Sequence, residues 1–349
     1  MSASHQQIGF ERILVIKMKL IGDVLLTTPV LDALRKKFPS ATLSVCVSRG
    51  AETILSGDPN ANEVFAGTPR RNVGFLGKLQ DEAGLFRKIR STRYDLVVDL
   101  TTTDRSAIIT RLTGARCRLG YVSHKGFIGR SRAYTHTVQP VRGEHIVRKH
   151  CRILQPLGIN VTDPQLVFPI VAADQQTIQA LLPPEKPFFQ VHPISRVERK
   201  NWPTAFMAEM VNTVARTRGW IPVITGSSDP AEQAGIGELR KLLQCEHVDL
   251  SGKVTLKQLG AISQQARFFL GVDTAPMHIA AAVGTPVAAL FGPSSEKLWA
   301  PWCDKALVLS RELDCRLPCK NKQCQTIHCL REFTPAMVLP RLEAFLSTI

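Results

Sequence analysis

The residues with the most potential for chemistry lie at positions 273–278, where the sequence reads Asp-Thr-Ala-Pro-Met-His. They follow a short apolar run and open a predicted helix of small residues. In α/β proteins the ligand crevice lies at the carboxyl ends of parallel strands, where the next helix offers free N–H groups to an anion. We therefore predict that Asp273, Thr274 and His278 hold a phosphorylated ligand. The alternative is a plain helix cap, in which the Asp-Thr pair serves only the helix.

Two further turns in the second half of the chain carry polar groups suited to a nucleotide. In the turn at 192–203, Ser195 can donate a hydrogen bond and Lys200 a full positive charge to a diphosphate. The turn at 224–229 contains Gly226 and Asp229, and an acid there can hold a ribose hydroxyl. Neither turn has the glycine pattern of a Walker loop or of a dinucleotide site, which argues against a nicotinamide enzyme.

One acid in the first half is a candidate general base. Asp23 follows an apolar run at 13–17 and the glycine at 22, and it precedes a predicted helix at 24–38. A carboxylate at the end of a strand can accept a proton from a hydroxyl nucleophile. Taken alone, the pattern favours an N-cap, which would stabilise the helix by about 1 kcal/mol.

Positioning these turns requires two sets of alternating strands and helices, divided by a proline-rich stretch at 155–187. We predict an α/β fold with two doubly wound Rossmann-like domains facing a cleft. The first domain spans 1–175 and the second spans 186–333. A C-terminal helix at 334–349 is expected to pack back on the first domain. The predicted strands lie at 13–17, 42–47, 63–65, 95–100, 118–122, 188–192, 221–225, 248–250, 268–272 and 287–291.

Composition limits the class of protein. With 349 residues, 44% hydrophobic and 21% charged, the chain suits two globular domains. It has no apolar run of the roughly 18 to 20 residues that cross a bilayer. The first ten residues lack the apolar segment of a secretion signal, so we expect a cytoplasmic protein.

The positive charge is concentrated in the first half. Residues 1–180 carry 25 Lys and Arg against 14 Asp and Glu, and eleven basic residues between 105 and 152 face one acid. This excess predicts an anionic partner, although a solvated basic face is the plain alternative. A nucleic-acid-binding protein is a rival class, but the 6% of aromatics do not interleave with the charges. The candidate anion-binding residues are Arg105, Arg116, Arg118, Lys125 and Arg132.

A cysteine cluster near the C-terminus leaves a metal site open. Cys315, Cys319, Cys324 and Cys329 lie within fifteen residues, with a histidine at 328. Four soft ligands can hold a structural zinc ion, but the cluster lacks a Cys-x-x-Cys pair. Free thiols in a structural loop, a zinc site and a redox role are the alternatives.

Taken together, the motifs resemble glycosyltransferase family 9, the heptosyltransferases that build the inner core of bacterial lipopolysaccharide. The resemblance rests on the segments 12–17 with 22–29, 192–203 and 273–278, in order along the chain. It is greatest to the heptosyltransferase III type. It implies a GT-B fold that binds the acceptor on the N-terminal domain and the nucleotide sugar on the C-terminal one.

The resemblance also implies roles for individual residues. Asp23 matches the general base, and Lys200 matches a catalytic residue on the donor diphosphate. Two positions depart from the family pattern. Arg196 replaces a second hydroxyl residue, and Ala275 stands where some relatives have glycine. The donor-binding residues implied in this way are Ser195, Arg196, Gly226, Asp229, Asp273, Thr274, Ala275 and His278.

The activity implied is inverting transfer of heptose from ADP-heptose to a hydroxyl of the lipid A-linked core oligosaccharide. The basic residues of the first domain would meet that acceptor and the anionic cytoplasmic leaflet of the inner membrane. No cofactor or catalytic metal is expected, and no nucleic acid partner. Another GT-B nucleotide-sugar transferase or an epimerase is the nearer alternative.

Overall fold

The computed structural model describes residues 9–68, 74–122, 126, 129–183, 185–311, 324 and 327–349. The chain divides into two compact units, Met1–Val167 and Phe168–Ile349. The boundary lies earlier than the sequence predicted, because the helix α6 (Ala172–Gln179) belongs to the second unit. Its Ile178 is fully buried in one cluster with Ile262.

The first unit contains a parallel sheet that, over the described residues, has six strands in the order β3-β2-β1-β4-β5-β6. The central strand β1 is buried over five of its six residues, as expected for a parallel strand covered on both faces. The sequence did not predict β6. The strands are β1 (Arg12–Lys17), β2 (Thr42–Val47), β3 (Glu63–Ala66), β4 (Leu96–Asp99), β5 (Cys117–Tyr121) and β6 (His136–Val138). The helices are α1 (Ile21–Leu25), α2 (Thr28–Lys37), α3 (Phe75–Thr92), α4 (Asp104–Leu112) and α5 (Ile146–Arg152).

The second unit repeats this topology. Its described strands form a six-stranded parallel sheet in the order β12-β11-β10-β7-β8-β9, the same arrangement as in the first unit. The strands are β7 (Phe188–His192), β8 (Ile221–Ile224), β9 (Val248–Asp249), β10 (Phe269–Val272), β11 (Val287–Phe291) and β12 (Ala306–Ser310). The helices after α6 are α7 (Thr204–Arg218), α8 (Pro230–Leu242), α9 (Leu256–Gln265), α10 (Ala275–Ala282), α11 (Glu296–Trp299), α12 (His328–Arg331) and α13 (Pro335–Leu346).

Both units therefore have the strand order of a Rossmann-like doubly wound sheet, which confirms the predicted fold class. In such sheets the ligand site lies outside the carboxyl ends of the strands on either side of the point where the strand order reverses. That point falls between β1 and β4 in the first unit and between β7 and β10 in the second. No helix of the described residues is both long enough and apolar enough to span a membrane.

The C-terminal helix α13 packs in the second unit, so its predicted return to the first domain is wrong. Val338 and Leu342 are fully buried in one cluster with Val211 of α7. Arg341 donates hydrogen bonds to backbone carbonyls of β12, at 2.7 Å and 3.1 Å. The apolar face of α13 thus completes the core of the sheet that precedes it in the chain.

Candidate functional site

Asp23 is placed by the switch-point strand of the first unit. It is the third residue of the short helix α1, which begins four residues after β1 ends. The N-cap of α1 is Leu20, without a side-chain cap, so the capping alternative for Asp23 is wrong. Its side chain is 21% exposed, and one carboxylate oxygen lies 3.5 Å from Lys17 Nζ. The carboxylate is therefore held by a cation while still open to solvent.

Lys17 and His150 are site residues that the sequence analysis did not single out. Lys17 ends β1 with 3% of its surface exposed, and its Nζ lies 2.9 Å from His150 Nε2. His150, on α5, is 1% exposed and its Nδ1 lies 3.0 Å from the carbonyl oxygen of Leu26. The only signal in the sequence is the lysine that ends the apolar run at 13–17. The histidine is 133 residues away, so only the fold brings it there.

Burial shifts the pKa of both groups. Desolvation lowers the pKa of Lys17 to about 8, and the nearby Asp23 carboxylate opposes that shift. Desolvation, followed by the charge of Lys17, holds the pKa of His150 well below its usual 6.5. At neutral pH the pair is therefore a lysine ammonium that donates to a neutral imidazole.

The turn after β4 is hydrogen-bonded to the backbone that follows β1. Asp99 is fully buried, and it accepts hydrogen bonds from Tyr134 Oη at 2.7 Å and from the Thr101 N–H at 2.8 Å. Thr101 Oγ1 in turn accepts from the Met18 N–H at 2.8 Å. Burial raises the pKa of Asp99, while these hydrogen bonds oppose the rise. The network fixes the backbone directly after Lys17.

In the second unit, sheet register brings the three predicted turns to one edge. His192 of β7 pairs with Gly271 of β10, and Val191 pairs with Ile224 of β8. The turns that follow these strands are therefore neighbours. Gly271 allows the close approach, because a Cβ at that position would lie 2.6 Å from the carbonyl oxygen of His192.

Lys200 and Asp273 meet across this edge. Lys200 Nζ donates to Asp273 Oδ2 at 2.6 Å and to the backbone oxygen of Asp273 at 3.3 Å. The aspartate side chain is 7% exposed and the lysine side chain 27%. An ammonium has three N–H groups, and these two contacts leave one for a ligand oxygen.

The loop between β7 and α7 is organised around Ser195 and Asn201. The Ser195 N–H donates to Asn201 Oδ1 at 2.6 Å, and Asn201 Nδ2 donates back to the Ser195 carbonyl at 3.0 Å. Ser195 Oγ accepts from the Val197 N–H at 3.1 Å. This holds the loop that leads to Lys200, and Arg196 within it is exposed. Asn201 lies in the 192–203 turn, but the sequence analysis did not single it out.

The start of α10 is the predicted anion turn. Thr274 is its N-cap in an extended conformation, without a side-chain cap, and its hydroxyl donates to the Val272 carbonyl at 3.3 Å. Ala275 is the first helical residue, and His278, one turn further, is 4% exposed. Asp273 directly precedes this N-cap, so the N–H groups of the helix start lie beside the Lys200–Asp273 pair.

The two remaining donor candidates have structural roles in the second unit. Asp229 is the N-cap of α8 and accepts from the Ala231 N–H at 2.9 Å. Gly226 packs so closely that a Cβ there would lie 2.3 Å from Ile236 Cδ1. A role of Asp229 toward a ribose stays a prediction.

Three of the predicted acceptor residues are bound to protein groups. Arg105 donates to both carboxylate oxygens of Glu82, at 2.6 and 2.9 Å. Arg116 donates to the Gly9 carbonyl at 2.6 Å, and Arg118 to the carbonyls of Ala133 and Ala115. Arg132, on a short 3₁₀ turn, is exposed. Lys125 lies outside the described residues.

The predicted zinc ligands are only partly described. Cys315 and Cys319 lie outside the described residues, so a zinc site stays a prediction. Within the part of the chain that the structure describes, no group of three potential ligands could hold a metal ion. His328 instead pairs with the Glu332 carboxylate one turn later.

Comparison with known proteins identifies the family. The sequence model of glycosyltransferase family 9 (heptosyltransferase) matches residues 83–329. This chain belongs to glycosyltransferase family 9. The family assignment makes the chain a glycosyltransferase, as the sequence motifs predicted.

Curated relatives are similar to this chain over most of its length. It is 31% identical over 295 residues to lipopolysaccharide heptosyltransferase 3 of Escherichia coli, covering 83% of this chain and 86% of that protein. It is 24% identical over 350 residues to lipopolysaccharide heptosyltransferase 2 of Escherichia coli strain K12, covering 96% and 98%.

Solved structures of family 9 share the fold. A family 9 glycosyltransferase from Veillonella parvula matches with a TM-score of 0.81 at 21% identity, covering 99% of each chain. The ADP-heptose lipopolysaccharide heptosyltransferase II of E. coli matches with a TM-score of 0.76 at 22% identity, covering 97% of this chain and 99% of that one.

Proposed function

We propose that this enzyme transfers heptose from ADP-heptose to a hydroxyl of the lipopolysaccharide inner core, in the manner of a type III heptosyltransferase. The observation that carries the proposal is the Lys200–Asp273 pair beside the start of α10, in a chain that is similar to lipopolysaccharide heptosyltransferase 3. A cation and a helix N-terminus at the carboxyl edge of a Rossmann-like sheet are suited to a nucleoside diphosphate.

In the proposed reaction the acceptor oxygen attacks the anomeric carbon from the side opposite the leaving group. The acceptor proton passes to the Asp23 carboxylate. The bond between the anomeric carbon and the β-phosphate oxygen breaks, and its electron pair leaves with ADP. The configuration at the anomeric carbon is thereby inverted, and Asp23 later returns the proton to water.

The departing ADP gathers negative charge, and the second unit offers three kinds of hydrogen-bond donor to stabilise it. Lys200 supplies an ammonium N–H, the start of α10 supplies backbone N–H groups, and Ser195 supplies a hydroxyl. Donors held in place before the reaction stabilise such charge at little cost in reorganisation. We propose that these groups replace a metal ion, consistent with the lack of any Asp-x-Asp pair in the sequence.

The first unit is proposed to meet the acceptor and an anionic membrane surface on the cytoplasmic side. Residues 1–167 carry 25 Lys and Arg against 13 Asp and Glu. Each basic residue near an anionic leaflet contributes about 1 kcal/mol to binding. Among the predicted acceptor residues that the structure describes, Arg116 and Arg132 are exposed, and Arg116 is held by the Gly9 carbonyl.

Product analysis tests the proposed function. The enzyme is mixed with ADP-heptose and with core oligosaccharides truncated at successive sugars, with and without EDTA. We expect a mass increase of one heptose on one truncation class, equimolar ADP release, and no loss with EDTA. Thermal shifts with ADP, UDP and GDP form a parallel measurement, because a nucleotide that binds the folded state raises the melting temperature. A shift with UDP or GDP in place of ADP would assign a different donor.

A further inference from the structure

The buried contact between Lys17 and His150 has no part in the donor site, and it lies directly behind Asp23. Three potential acceptors surround Lys17 Nζ: His150 Nε2 at 2.9 Å, the Leu100 carbonyl at 3.4 Å and Asp23 Oδ1 at 3.5 Å. These match the three N–H groups of an ammonium. Asp23 is the one anionic group among them.

The hydrogen bonds of His150 determine which nitrogen carries its proton. The Leu26 carbonyl can only accept, so Nδ1 at 3.0 Å must be the N–H donor. In the neutral ring Nε2 is then a lone-pair acceptor, and it faces Lys17 Nζ. The imidazole therefore accepts from the ammonium and fixes its direction.

The surrounding charges favour this arrangement over the reverse. A second proton on His150 would place a positive imidazolium against the buried Lys17 ammonium. Burial, together with the charge of Lys17, therefore keeps the imidazole neutral. The charged and titratable groups that act on the pair come from α1, α5 and the turn after β1. They are Asp23, Lys19, His145 and Lys149.

We propose that Lys17 and His150 are positioning residues for the general base: His150 directs the Lys17 ammonium, and the ammonium orients the Asp23 carboxylate. This inference rests on the proposed function, since it concerns the same acid. Neither residue touches the substrate in the proposal.

The test for Lys17 is the pH profile of Lys17→Met, which keeps the length of the side chain and removes its charge. We expect kcat at pH 7 to fall about tenfold or more, with KM for ADP-heptose unchanged. We also expect the wild type to show an alkaline limb in kcat/KM for the acceptor near pH 8, where burial places the pKa of Lys17, and Lys17→Met to lack that limb.

His150 offers a matched pair of variants. The amide nitrogen of Asn can replace Nδ1 as donor to Leu26 but cannot reach Lys17, whereas the amide oxygen of Gln can replace Nε2 as acceptor. We expect His150→Asn to share the loss of kcat expected for Lys17→Met and His150→Gln to remain within about threefold of wild type. A merely structural role would lower kcat in both variants.

A measurement independent of turnover separates the two proposals. The Lys17 Cε carbon is followed by ¹³C NMR titration, assigned by its loss in Lys17→Met, in wild type and in Asp23→Asn. Because the Asp23 carboxylate raises the pKa of Lys17, a titration displaced to lower pH in Asp23→Asn supports the contact even if the wild type transfers no heptose. Active wild type with an unmoved Lys17 titration in Asp23→Asn and an unchanged kcat in Lys17→Met would overturn the positioning role. The ADP thermal shift should equal wild type in all three variants, and its loss would show disruption beyond the base.

Discussion

Lys200 and Asp273 form a close ion pair, with 2.6 Å between Nζ and Oδ2, although 73 residues separate them in the chain. The aspartate is almost fully buried and is not the helix cap, since the N-cap of α10 is Thr274. Burying a carboxylate is costly unless a cation and hydrogen bonds compensate. The pair therefore holds the ammonium at the carboxyl edge of the sheet, where a diphosphate would need it.

Replacing Lys200 should weaken the donor step most. We expect Lys200→Met to lower kcat about 10²- to 10³-fold, as for loss of one preorganised charge-stabilising group, and to reduce the ADP thermal shift. Steady-state kinetics and differential scanning fluorimetry check this. Lys241→Met is the control, since Lys241 forms an exposed pair with Glu238 in the same unit. Equal effects of both substitutions would contradict a specific role for Lys200.

Replacing Asp23 should separate catalysis from donor binding. Asp23→Asn removes the proton acceptor but keeps the size of the side chain, so we expect turnover to fall at least 10³-fold. The ADP thermal shift should remain unchanged. The matched control is Asp32→Asn, because Asp32 forms a surface pair with Lys36 in the same unit. A near-normal rate in Asp23→Asn would remove Asp23 from the base role.

The basic residues of the first unit should divide into two groups. Arg116→Glu and Arg118→Glu break hydrogen bonds to backbone carbonyls, so we expect a loss of stability of about 0.5–1.5 kcal/mol each. Arg132→Glu should leave the urea midpoint unchanged while raising KM for the acceptor and weakening binding to anionic vesicles. ADP binding should survive in all three. An Arg132→Glu variant with a normal acceptor KM and normal vesicle binding would contradict the acceptor assignment.

His192 should make the second unit sensitive to acid. Burial lowers the pKa of His192 to about 4, so between pH 6.5 and 4 the unfolded chain binds a proton that the folded chain does not. Stability is therefore highest above pH 6.5 and falls as the pH drops toward 4, by up to about 3 kcal/mol. Urea unfolding at pH 7, 6, 5 and 4 measures this slope. His192→Asn, which keeps an atom near Thr225 Oγ1, should show a shallower slope, and an identical slope would contradict the assignment.

Sequence patterns were sufficient for the architecture and for the turn that opens α10. Short apolar runs with acids or prolines after them mark buried parallel strands and their turns, because a strand covered on both faces must be apolar throughout. That information is local. The strand β6 lacks it, since His-Thr-Val is largely polar and two of its three residues are exposed. The strand β12 does contain an apolar run, Ala-Leu-Val-Leu, which the sequence analysis did not use.

Only the tertiary structure decided which side chains, distant in the sequence, contact one another. Lys17 meets His150 across 133 residues, and α13 fills the core of the second unit. Nothing in the local pattern distinguishes a buried lysine beside a histidine from a solvated one, since the energy that selects the contact comes from burial and hydrogen bonding in the folded state. The sequence determined which residues could do chemistry, and the fold decided which of them lie within reach of one another.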